Sequence, residues 1–131
     1  MKRFTLIRAS GRYSSSTSVV AAELTAPMPH VIVTGRFGSL QGRHDELQRF
    51  EGRDESFKRA FNIWTTDSAF ATAVFDPLMT EWMLSLGRTY AFEVNGARAF
   101  ACGGSRRPRD VDGLIDACSG FVQRLPAPDG W

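Results

Sequence analysis

Two histidines and two cysteines are the residues of this chain most suited to holding a metal or attacking a substrate, and their spacing assembles neither arrangement. His30 lies in a proline-rich junction and His44 in a charged stretch. No H-x-x-x-H or C-x-x-C pair occurs, so a zinc site would need scattered ligands such as Cys102, Cys118 and one histidine. Both cysteines are flanked by small or apolar residues, which predicts reduced core thiols, with a strand-to-helix disulfide as the alternative. Cys118 falls on an apolar helical stripe, the setting of an inert thiol. Ser14-Ser15-Ser16 sits in a turn, and no G-x-S-x-G elbow is present. Asp67 and Asp76 look like paired carboxylates, but each precedes an apolar helical segment and reads as its N-cap. Neither G-x-x-x-x-G-K-[ST] nor G-x-G-x-x-G occurs, so nucleotide binding has no motif behind it.

One basic cluster remains. Arg106, Arg107 and Arg109 lie at the start of the last predicted helix, where positive charge opposes the helix dipole. That placement would suit a bound anion: phosphate, a lipid headgroup or an acidic partner. A solvated basic turn is the plainer reading. The arginines between residues 36 and 59 are interleaved with acids, so that stretch is nearly neutral. The whole chain carries a net charge of only +2, too even for nucleic-acid binding driven by charge. Of its 16 basic residues only Lys2 and Lys58 are lysine. Arginine's planar fork suits carboxylate and phosphate, although GC-rich codon usage explains the bias equally well.

The elements that must position these residues begin with strands. Residues 3–9 read as a strand with Phe4 and Leu6 on one face. A Ser-rich turn follows from Gly11 to Ser16. Thr17–Thr25 reads as a second strand, interrupted by Pro27 and Pro29, and Val31–Thr34 as a third. No helix-length segment separates them, so antiparallel pairing is expected. Phe37–Arg59 reads as a long loop, with one or two helical turns at Asp45–Phe50. Ala60–Thr65 alternates strictly, placing Phe61 and Ile63 on one face of a fourth strand.

Two helical segments follow, capped by Asp67 and by Asp76-Pro77, and they meet at a kink. In the second, Leu78, Met79, Trp82, Met83 and Leu86 make one broad apolar side. Gly87 is its C-cap. Asn95-Gly96 between apolar runs predicts a two-residue hairpin. Its register sets Tyr90, Phe92 and Val94 against three alanines on one face, and Glu93 against Arg98 on the other. Asp110 caps a last helix in which Val111, Leu114, Ile115, Cys118, Phe121, Val122 and Leu125 form a single stripe. Pro126 ends it.

The run Glu55–Ile63, then Asp67, then Phe70-Ala71, then Phe75-Asp76-Pro77-Leu78-Met79-Thr80-Glu81-Trp82 resembles a family of uncharacterised bacterial proteins. That family's pattern reads roughly E-x-x-F-N-R-x-F-x-V-x-x-x-D, then F-A-x-x-L-L-D-P-x-M-M-x-W-L-L. Leu24–Val31 is similar to its proline-containing upstream run, and Phe121-Val122-Gln123-Arg124-Leu125-Pro126 to the end of its last helix. The resemblance covers about residues 17–126. Phe57-Lys58 departs from F-N, and Thr80 from the second Met. The resemblance implies a fold unit, often placed beside membrane segments on the cytosolic side, and no activity.

Length and composition complete the reading. The chain has 131 residues, 43% apolar and 23% charged, which is one globular domain. The expected architecture is α+β: about six strands in a mostly antiparallel, curved sheet, covered by the kinked helix pair and the C-terminal helix. One domain is expected over residues 1–126, with a tail at 127–131. No apolar run approaches the ~20 residues of a membrane helix, and Arg8 interrupts the only stretch that could start a secretory leader. The expected setting is the cytoplasm, or the periphery of the membrane's inner face. The leading expectation is a non-enzymatic interaction module that binds a protein partner or itself, without cofactor, metal or nucleic acid. The alternative is a domain binding a small molecule or an anionic lipid headgroup near Arg106, Arg107 and Arg109. An enzyme with dispersed catalytic residues is the third reading.

Overall fold

The computed structural model describes residues 4–10, 16–35, 46–87, 90–103 and 110–127, with side chains omitted for 4–10, 16–18, 110 and 111. Its elements run β1 (Phe4–Ser10), β2 (Ser16–Gly35), β3 (Gln48–Phe50), α1 (Glu55–Ala60), β4 (Phe61–Thr65), α2 (Ser68–Val74), α3 (Pro77–Leu86), β5 (Tyr90–Gly103) and α4 (Asp110–Gln123). The strands form one open antiparallel sheet, and the helices pack against it. The fold is α+β, with the expected kinked pair α2–α3 and the C-terminal helix α4.

β2 organises the sheet. It pairs with β1 through residues 16–22, with β4 through residues 31–35, and with β5 along nearly its whole length. β3 adds to the far side of β4. One expectation needs correction here. Among the described residues the sheet is built from five strand segments, and the second and third expected strands are one continuous paired run, β2. The prolines do not end it. Between the pairs Glu23↔Arg98 and Val31↔Val94, β2 runs through residues 24–30 while β5 needs only 95–97. The extra backbone holds Pro27 and Pro29 where the ladder is already out of register, the place a sheet tolerates proline.

β5 is also bent. Gly96 has φ 61°, and its backbone pairs with Met28. The two ends of β5 are neighbours. A Cβ added to Gly103 would lie 3.3 Å from the Tyr90 ring, and the Ala91 backbone hydrogen-bonds to the Cys102 thiol. The strand therefore doubles back at Asn95-Gly96, as the hairpin signal predicts, and β2 passes around its tip. Phe92 and Val94 in one leg, and Ala99 and Ala101 in the other, are all buried. Large residues meet small ones, so α4 can approach closely.

α4 covers this face. Leu114, Ala117, Cys118, Phe121 and Val122 are buried, at the 3–4 spacing of one helical stripe. Phe121 stacks on Phe92 with ring centroids 4.9 Å apart. Ile115, expected in this stripe, is half-buried, and Ala117 takes a place in it.

The expected loop before β4 contains two elements. Gln48–Phe50 is a strand, not a helical turn: Phe50 pairs with Ile63 and its ring approaches Phe75 at 6.4 Å. α1 is a helix of six residues, too short to show a period. Its signal is local: Asp54 Oδ1 accepts from the Phe57 N–H at 3.0 Å, with Glu55 in the first turn and Lys58 and Arg59 in the last. The Ser-rich turn at 11–15, the rest of that loop at 36–45, and the basic turn at 104–109 lie outside the described residues.

The caps of the kinked pair stand as expected. Asp67 Oδ1 accepts from the Phe70 N–H at 3.1 Å, and Asp76 Oδ1 from the Met79 N–H at 2.8 Å. Asp76→Ala is expected to cost ~0.5–2 kcal/mol, measured as a lower urea midpoint. Asp76→Asn, which keeps the acceptor, should cost less.

Candidate functional site

The sequence points first to Arg106, Arg107 and Arg109, and all three lie outside the described residues. So does His44. His30 is placed at the end of the displaced stretch of β2, where its Nε2 is 2.5 Å from Glu93 Oε2. The described side-chain partner of Glu93 is thus His30, and not the expected Arg98. His30 alternates with buried Val31, and Glu93 with buried Val94, so both rise from the sheet face opposite α4. On the same face Arg49 Nη2 donates to Asn62 Oδ1 at 2.6 Å, and its guanidinium lies 5.8 Å from the Trp64 ring. These contacts tie neighbouring strands together. Among the described residues no group of three or more His, Cys, Asp or Glu side chains gathers as metal ligands.

The cysteines are both free. Cys118 is buried under β2, its thiol donating to the Val20 carbonyl oxygen at 3.8 Å, and burial pushes its pKa up to about 11. Burial also raises that of Cys102, against the hydrogen bond from Ala91. A core thiol that keeps its proton while the unfolded thiol loses it makes stability fall as pH rises from 9.0 towards 11. The urea midpoint should therefore drop across that window, and Cys118→Ala should flatten part of the drop. In the folded protein at pH 8, alkylation followed by mass spectrometry should label Cys102 well before Cys118.

A surface with binding character lies between α3 and the end of α4. Leu78, Glu81, Trp82, Gln123 and Arg124 line an open groove of about 610 Å³. The apolar side of α3 splits in two. Met79 and Met83 face the core, while Leu78, one residue earlier, is 73% exposed. Trp82, one turn on from Leu78, is half-buried and reaches Phe92 at 5.8 Å.

Two contacts fix Trp82. The Arg124 guanidinium sits 4.5 Å over its ring, and Arg124 Nη1 donates to the Gly120 carbonyl at 3.0 Å. On the other side α4 comes close enough that a Cβ on Gly120 would lie 2.4 Å from Trp82 Cζ2. Gly120 is thus the residue that lets the indole lie against the helix backbone. The sequence shows Leu78 and Trp82 as a pair at helical spacing, but it gives no sign that Leu78 turns away from the core while Trp82 packs at its edge. Nor does it show that Arg124 reaches a tryptophan so far away along the chain.

The fold has a solved counterpart. It is similar to the crystal structure of the mycobacterial trehalose monomycolate transport factor A, TtfA. The TM-score is 0.65 at 11% sequence identity, over 95% of this chain and 75% of that one. At this identity the likeness concerns the fold. No family model and no curated protein matches the sequence. Among the described residues no helix is long and apolar enough to cross a membrane.

Proposed function

We propose that the chain is a non-catalytic binding module whose ligand is amphiphilic, a lipid-derived small molecule being one such class. The observation that carries this reading is the groove: Leu78, 73% exposed, beside a half-buried tryptophan with an arginine above it. An apolar residue so placed gains when a ligand covers it. The polar ends of Glu81, Gln123 and Arg124 around it can orient the rest of the molecule. Among these lining residues Glu81 is the one acid. A fold shared with a protein named as a trehalose monomycolate transport factor supports the reading.

The test is a titration with dodecyl maltoside below its micelle concentration, followed by tryptophan fluorescence. Covering a leucine contributes roughly 1.5–3 kcal/mol, so Leu78→Ser should weaken binding about 10-fold or more. Its thermal stability should stay within about 0.5 kcal/mol, as for other surface changes. Equal binding by Leu78→Ser and the parent chain would sink the proposal.

A further inference from the structure

We draw no further inference here: the strongest candidate, the sheet face opposite α4 where half-buried Val19, Phe100 and Trp64 lie beside the His30–Glu93 and Arg49–Asn62 contacts, is an apolar face, and nothing among the described residues shows what covers it.

Discussion

Phe121→Ala is expected to cost the fold about 3–5 kcal/mol, a large part of the stability of a domain this size. Phe121 is fully buried and its ring lies 4.9 Å from that of Phe92. It stands where the α4 stripe meets both legs of β5. Removing it leaves a cavity lined by Phe92 and its neighbours, which the rigid sheet cannot collapse to fill. Chemical denaturation of the monomer measures the loss. The alternative for an apolar stripe of this kind is an interface between copies. A stable Phe121→Ala monomer that no longer self-associates would establish that alternative and remove α4 from the core.

The second large effect belongs to Gly96→Val. Gly96 has φ 61°, a conformation that a β-branched residue adopts only under strain. Nothing lies within 4 Å of a Cβ added there, so any loss reports backbone conformation and not crowding. The cost should be roughly 1–3 kcal/mol. Gly96→Asn, which tolerates the left-handed region, should lose clearly less. If valine and asparagine melt at the same temperature as the parent, the turn at Asn95-Gly96 does not set the register of β2 on β5.

How far the chain could be read from its sequence depends on the range over which each signal acts. The Asp67 and Asp76 caps and the Asn95-Gly96 turn are local chemistry, and each is visible within about four residues. The α4 stripe is visible because fourteen residues span nearly four turns. α1 escaped because six residues do not define a period. β2 reads as two strands because proline is judged against its neighbours. Whether the ladder is interrupted at Pro27 and Pro29 depends on β5, more than sixty residues later.

The groove was half legible. Leu78–Trp82 and Met79–Met83 are both i, i+4 pairs on adjoining faces of α3, and amphipathicity alone does not say which pair is inside. The split is decided by Gly120, whose missing Cβ brings the Trp82 indole against α4. The arginines that the sequence favours lie outside the described residues.

The path of β2 around the tip of β5 also sets an order of events on the ribosome. β2 is made early, and one of its edges has β1 at hand as soon as the chain has turned. The other edge stays bare: Ser18 waits for Gly103, and Val33 for Phe92. Until β5 has left the exit tunnel, a nascent chain carries a long strand with unanswered amide and carbonyl groups, the template on which sheets aggregate. Contacts so remote in sequence also form slowly. Synthesis of this protein is therefore expected to lean on chaperones that hold an open strand edge, and nascent chains stalled before β5 should be the aggregating species.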